Sequence, residues 1–318
     1  WSRYMRLSSL NGKTGFTLTG VDPDDYSGVS VATAGDVDKD GYDDIIIGAP
    51  LHDASSSITD SGTAYVFFGK KSGYKSSFKL KDIDGSNGFR FGGIATNDST
   101  GWSVATAGDI DGDGFDDVLV GAPYADPNGN NSAGQVYAYY GKSSGFPEEV
   151  NLANLGDSGI TIDGATSYDY IGQSVDTAGD INGDGKEDLL IGAIGNDDSS
   201  DPTYAGVTYV VFGTSKSTFG QSIDLADLDG TNGFRLKGEN ASDYTGRPVA
   251  TAGDINGDGY DDILIGKPES NDLDVPTTYV YFGKSSGFAA EVELGALNGH
   301  NGFTLNGSPA DHHGWSVS

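Results

Sequence analysis

Gly28-Val29-Ser30-Val31-Ala32-Thr33-Ala34-Gly35-Asp36 recurs as Gly101-Trp102-Ser103-Val104-Ala105-Thr106-Ala107-Gly108-Asp109, as Gly172-Gln173-Ser174-Val175-Asp176-Thr177-Ala178-Gly179-Asp180 and as Gly246-Arg247-Pro248-Val249-Ala250-Thr251-Ala252-Gly253-Asp254. Successive copies lie 73, 71 and 74 residues apart. A period kept this closely through variable loops means one supersecondary unit used repeatedly. Within a unit the apolar period is two. Ser30–Ala34 reads as a strand of small residues, and the apolar run Asp44–Pro50 as a strand buried on both faces. Ala64–Gly69 is aromatic and β-branched, and Gly88–Phe91 is a short fourth strand. Four short strands per unit, with only small side chains on the first, suit a β-propeller blade whose innermost strand lies where blades converge, with a β-sandwich or solenoid of the same period as the alternative.

The composition agrees with an all-β, turn-rich chain. Of 318 residues, 50 are glycine, and the 47 acidic residues divide into 40 aspartates and 7 glutamates. Glutamate is the better helix former, whereas aspartate caps turns and binds hard cations through oxygen. A formal charge of −29 repels nucleic acid and anionic membranes, which argues against both as partners. No apolar run reaches the roughly 20 residues of a membrane span. The absence of cysteine removes disulfides and zinc–thiolate sites, so the redox compartment is not legible.

Gly48-Ala49-Pro50 and Gly121-Ala122-Pro123, followed by Phe68-Gly69 and Tyr140-Gly141, resemble the FG-GAP repeat family, which includes the N-terminal β-propeller of integrin α subunits and many secreted bacterial propellers. The resemblance runs from about Leu10 to Ser318, with Ile194 in place of the third proline and Lys267 in place of the fourth alanine. It implies one FG-GAP propeller, or a sector of one, over residues 1–318, with calcium loops at 36–44, 109–117, 180–188 and 254–262. Side-chain ligands carry over at loop positions 1, 3, 5 and 9: Asp36, Asp38, Asp40 and Asp44; Asp109, Asp111, Asp113 and Asp117; Asp180, Asn182, Asp184 and Asp188; Asp254, Asn256, Asp258 and Asp262. Position 7 offers a backbone carbonyl, from Tyr42, Phe115, Lys186 and Tyr260.

The chemistry suits that pattern. Calcium takes six to eight hard oxygens, and alternate residues of a tight loop can converge on one point. Gly41, Gly114, Gly185 and Gly259 sit where the loop must bend sharply. About four Ca²⁺ sites follow, and ligand charge ranks loops one and two above loops three and four. EF-hands fit poorly, because the flanks read as β and no glutamate occupies position 12.

The long, dissimilar connections 50–62, 123–134, 194–206 and 268–277 lie on the face opposite the metal loops, as do the connectors that precede each first strand. In repeat proteins such variation marks the binding face, and the resemblance implies a protein or glycan ligand there. Those connectors carry acids and aromatics: Asp24, Asp25 and Tyr26; Asp98 and Trp102; Asp169 and Tyr170; Asp243 and Tyr244; Asp311, His312 and Trp315. The reading favoured for them is aromatics packed between blades and acids that cap turns, ahead of a ligand-gripping ring. The chain is not read as an enzyme. His52, His300, His312 and His313 lie in turn-rich segments expected to be solvent-exposed, and no Gly-x-Ser-x-Gly elbow is present.

Four complete units stand between a leading fourth strand near Gly15–Thr19 and a trailing first strand at Gly314–Ser318. At this period a seven-bladed ring needs roughly 510 residues. The chain is therefore expected to be the ordered part of a longer protein, with self-association through terminal edge strands as the alternative. The leading function is a calcium-stabilised, secreted or cell-surface, non-catalytic adhesion or ligand-binding module. An accessory propeller of a larger secreted enzyme, and a structural subunit of a surface filament or layer, are the alternatives.

Overall fold

A computed structural model of the protein describes residues 7–195, 205–240, 242–268, 275–308 and 314–318. Parts of the third and fourth variable connections, the Asp311–His313 cluster and Trp1–Met5 lie outside them. The expected all-β repeat architecture is what forms. Sheet one holds Val31–Gly35, Asp44–Ala49, Thr63–Phe67 and Gly88–Gly92 in antiparallel succession; sheet two holds Ser103–Gly108, Asp117–Ala122, Gln135–Tyr139 and Gly159–Asp163. Sheet three holds Ile171–Gly179, Asp188–Ala193, Val207–Val211 and Gly233–Lys237, and sheet four Val249–Gly253, Asp262–Lys267, Thr277–Tyr281 and Gly302–Asn306.

The period-two pattern makes one strand serve two cores. In Asp117–Ala122, Val118 and Val120 face a core shared with Ile46, Val66 and Phe89 of sheet one, while Leu119 faces a core shared with Ile191 and Val207 of sheet three. Leu190 of sheet three turns the other way, onto Ile263, Ile265 and Tyr279 of sheet four. The apolar layer therefore lies between successive blades, which is why the second strands read as continuous apolar runs.

The first strands of successive sheets lie side by side. Small polar groups join them there: the Val104 N–H donates to Ser30 Oγ (3.1 Å), Ser103 Oγ to the Gly172 carbonyl (2.7 Å), and the Val249 N–H to Ser174 Oγ (3.1 Å). Closeness also dictates the glycine of each Gly-Ala-Pro. A Cβ at Gly48 would lie 1.9 Å from the Gly101 carbonyl oxygen, and one at Gly192 would lie 2.0 Å from that of Gly246.

A further strand crosses from each repeat to the one before. Ser77–Lys79, Glu149–Val150, Ser222–Asp224 and Glu291–Glu293, from the connections between third and fourth strands, pair in parallel with Thr17–Thr19, Gly88–Gly92, Gly159–Asp163 and Gly233–Lys237. Arg90 reinforces one such seam through Glu148 (3.0 Å) and Glu149 (2.9 Å), and Arg235 another through Glu291 (2.7 Å). On Gly302–Asn306 no such strand is present among the described residues, and its Phe303 and Leu305 are exposed.

Asp176 occupies the register where the other first strands carry Ala32, Ala105 and Ala250. Burial pushes its carboxyl up to about 6, opposed by the N–H groups of Thr177 (2.9 Å) and Thr251 (3.4 Å). A raised folded-state pKa favours the fold below the unfolded value, and that contribution is lost as pH rises through about 6. Asp176→Ala should therefore lose less stability than the parent between pH 4 and 8, as read by denaturant unfolding. Parallel pH profiles would contradict this.

Candidate metal centres

Each hairpin between first and second strands closes on the side chain of its own first aspartate. In loop one, Asp36 Oδ1 accepts from the Asp40 N–H (3.0 Å) and Oδ2 from the Gly41 N–H (2.9 Å). Asp38 Oδ1 accepts from the same Asp40 N–H (3.1 Å), and Asp40 Oδ1 from the Tyr42 N–H (3.0 Å). Loops two, three and four repeat this pattern through Asp109, Asp111 and Asp113; Asp180, Asn182 and Asp184; and Asp254, Asn256 and Asp258. The turn must pass through a left-handed residue after position 5, and Gly41 takes it at φ +93°.

The position-9 aspartate opens the second strand and is buried in all four repeats. Asp44 Oδ1 accepts from the Gly69 N–H (2.7 Å) and Oδ2 from the Val37 N–H (3.1 Å). Asp117 is held by Gly141 and Ile110, Asp188 by Gly213 and Ile181, and Asp262 by Gly283 and Ile255. Burial pushes Asp44 up to about 7 and Asp188 up to about 8, with the loop's other carboxylates adding to the rise. Asp117 and Asp262 shift the same way for the same first cause.

Carboxylate oxygens come together in loops one and two, three in each, with Asp44 outside the first group and Asp113 outside the second. Single oxygens of Asp36, Asp38 and Asp40 lie within 4.8 Å of one another, as do those of Asp109, Asp111 and Asp117. Loops three and four substitute the Asn182 and Asn256 amides at position 3. Tyr42, Phe115, Lys186 and Tyr260 sit where the turn enters the second strand, so their type is free and only their backbone is common. These donor sets, oxygen-only and rich in negative charge, fit calcium.

Position 8 was not singled out by the sequence, yet it ties loops together. Asp116 Oδ2 accepts from the Asp36 N–H of the preceding repeat (2.7 Å), and Asp261 Oδ2 from the Asp180 N–H (2.8 Å). Glu187 lies in the same place against loop two, its N–H donating to the Asp109 carbonyl (3.3 Å). This crowds the glycine before the first three loops: a Cβ at Gly35 would lie 2.4 Å from Asp116 Oδ2, one at Gly108 2.2 Å from Glu187 Cγ, and one at Gly179 2.3 Å from Asp261 Oδ2, whereas Gly253 before loop four meets nothing and shares only their positive φ. The available signal was the acidic pair at positions 8 and 9, of which only the second was assigned a role.

On the other face, the acids do cap turns. Asp25, Asp98 and Asp243 accept from the N–H groups of Asp22 (3.0 Å), Ala95 (2.8 Å) and Asn240 (2.9 Å), and Asp169 accepts from Thr166. The aromatics divide: Trp102, Tyr124 and Tyr170 form an edge-to-face row with centroids 5.4 and 5.8 Å apart, while Tyr26, Tyr168 and Trp315 are exposed. His52 is half-buried rather than exposed, with its ring edge-on to Tyr65 and Nδ1 3.2 Å from Thr63 Oγ1. Packing beneath the 50–62 connection overrides the polar character of that segment.

The FG-GAP repeat family matches residues 27–67, 100–139, 172–211 and 248–284, one match for each sheet and its loop. The chain belongs to this family. Integrin alpha pat-2 of Caenorhabditis elegans is 35% identical over 177 residues, covering 53% of this chain and 13% of the relative. Integrin alpha-V of Gallus gallus is 31% identical over 198 residues, covering 60% of this chain and 17% of the relative. The phosphatidylinositol-glycan-specific phospholipase D of Dictyostelium discoideum is 28% identical over 297 residues, covering 91% of this chain and 29% of the relative. The chain thus spans less than a third of each of these relatives.

The FG-GAP signature now has a physical reading. The glycine of Phe68-Gly69 presents the N–H that holds Asp44, and a Cβ there would lie 2.3 Å from the Asp43 carbonyl oxygen. The FG-GAP departure Lys267 is compensated, since its ammonium lies 3.1 Å from Asp243 Oδ1, both groups being buried. Among the described residues no helix is long and apolar enough to cross a membrane. Asp188→Ala would strand two buried N–H donors and should cost about 2–5 kcal/mol even in chelator. Asp184→Ala, on the exposed turn, should cost less than about 1 kcal/mol there. Equal costs in denaturant unfolding would contradict the distinction.

Proposed function

We propose that residues 1–318 constitute a calcium-stabilised FG-GAP propeller module, or a sector of one, that acts outside the cell as a non-catalytic adhesion or ligand-binding unit. The observation that supports this reading is the fourfold recurrence of one hydrogen-bonded hairpin, with a buried carboxylate at position 9 and acidic or amide groups at positions 1, 3 and 5. In each loop, positions 1, 3, 5 and 9 would supply side-chain oxygens and position 7 a carbonyl: Asp36, Asp38, Asp40, Asp44 and Tyr42 in loop one, and their counterparts in the other three. Bound Ca²⁺ supplies two positive charges against carboxylates that otherwise repel one another. Extracellular modules work with weak sites, because calcium outside cells is plentiful.

The integrin relatives favour a protein ligand, and the row Trp102–Tyr124–Tyr170 with exposed Tyr168, on the face opposite the metal loops, is the surface we assign to it. A glycan suits the same aromatic faces. A second reading, an accessory propeller within a larger enzyme, is favoured by the phospholipase D relative, whose match runs over 91% of this chain.

The test is thermal unfolding of the chelated protein with calcium restored and magnesium as control. Binding at four sites raises the melting temperature by mass action, by more than about 10 °C at saturating calcium. Magnesium, which demands tighter octahedral geometry, should give much less. No calcium-specific rise would overturn the reading.

A further inference from the structure

In repeats two, three and four the connection that follows the third strand lies over the acidic loop of the repeat before. The Lys142 N–H donates to the Val37 carbonyl of loop one (2.9 Å), and the Lys284 N–H to the Ile181 carbonyl of loop three (3.0 Å). The lysine next to Phe-Gly or Tyr-Gly in repeats one, two and four turns its ammonium onto its own repeat's aromatics. Lys70 lies over Tyr74 (5.2 Å), Lys142 over Phe146 (5.1 Å) and Lys284 over Phe288 (4.8 Å).

Repeat three departs from this. Thr214 takes the lysine's place, and the next aromatic, Phe219, lies six positions after Gly213, where Tyr74, Phe146 and Phe288 lie five after their glycines. The extra residue turns the connection into the short helix Lys216–Phe219, anchored by buried Phe219 and by the Ser215 carbonyl, which accepts from Thr218 (2.8 Å) and Phe219 (3.1 Å). Lys216 Nζ then reaches loop two, 3.0 Å from Asp111 Oδ2 and 2.7 Å from Asp113 Oδ2, above the Tyr140 ring at 4.6 Å. The Asp111 side chain is only 1% exposed, so the ammonium lies against a carboxylate with little access to water. In loop three, Lys186 approaches Asp184 only at 3.7 Å and belongs to the same loop. Among the described residues, loop two alone has an ammonium from another repeat bridging its position-3 and position-5 carboxylates.

We propose that Lys216 is a tethered counter-ion for loop two, which gives that loop a lower calcium affinity than loop one although the two have equal numbers of carboxylates. The inference rests on the calcium reading above. A dication that engages Asp111 and Asp113 must displace the ammonium from both, and the displaced charge stays close because Phe219 fixes the helix. Loop one faces no such competitor and fills first. The charge count alone ranks the two loops together; the neighbour separates them. At low calcium Lys216 neutralises loop two, and filling of that loop at higher calcium displaces the Lys216 ammonium while Phe219 keeps its segment in place at the boundary of repeats two and three.

The experiment is a calcium titration of glycine-¹⁵N-labelled protein followed by NMR. The N–H groups of Gly41, Gly114, Gly185 and Gly259 each donate to the position-1 carboxylate of their own loop, so each reports one site. In the parent, Gly114 should respond at higher calcium than Gly41. In Lys216→Ala the Gly114 midpoint should fall about tenfold. The Gly41, Gly185 and Gly259 midpoints should stay within about twofold of the parent, being distant sites. Lys216→Arg, which keeps the charge, should keep Gly114 late. A Gly114 midpoint that is unchanged in Lys216→Ala, or that already coincides with Gly41 in the parent, overturns the proposal. If none of the four amides responds in any variant, the calcium reading itself fails and the proposal with it.

Discussion

A carboxylate buried at the start of the second strand is the constraint on which each repeat depends. Asp44, Asp117, Asp188 and Asp262 each receive one N–H from the loop in front of them and one from the glycine that ends the third strand. Two elements far apart in the chain are thereby fixed to one side chain. Satisfying those donors with a group that prefers to be charged leaves the carboxylate desolvated and close to two or three others. A bound cation would relieve that tension. The same residue organises the hairpin and, in the calcium reading proposed above, would form the base of its metal site.

From this point the blades assemble by close contact. Asp116 and Asp261 at position 8 reach back to the first amide of the preceding loop, and the apolar residue at position 2 is buried beneath the following repeat, as Val37 and Ile110 are. Loop four, with no following repeat on it among the described residues, leaves Ile255 half exposed. Loop geometry and blade packing are consequently one system. A cation bound in the loops would therefore also stiffen the seams between blades, while the aromatic row Trp102–Tyr124–Tyr170 lies at the other end of its sheets. That separation suits a module that uses metal for rigidity and a different surface for recognition.

The repeat, the four-stranded unit and the loop positions were legible in the sequence because each rests on local signals: period-two apolar runs, obligatory glycines and aspartates at alternate positions. What escaped was non-local. The short parallel strand Glu149–Val150 has nothing to mark it except its partner Gly88–Gly92 in another repeat. Asp116 looked like one more acid in an acidic loop, although its hydrogen bond lies 80 residues away in the chain. Lys216 is separated from Asp113 by 103 residues, and only the one-residue lengthening of its connection hinted that repeat three differs. His52 misled for the reverse reason, since a turn-rich polar segment can still fold down onto a core tyrosine.

The decisive experiment for calcium in the four hairpins is anomalous diffraction from crystals grown with the ion. Four anomalous peaks are expected, one in each hairpin, bounded by the side chains of positions 1, 3, 5 and 9 and the carbonyl of position 7. Hairpins without peaks, or peaks confined to sites outside them, would contradict the calcium reading.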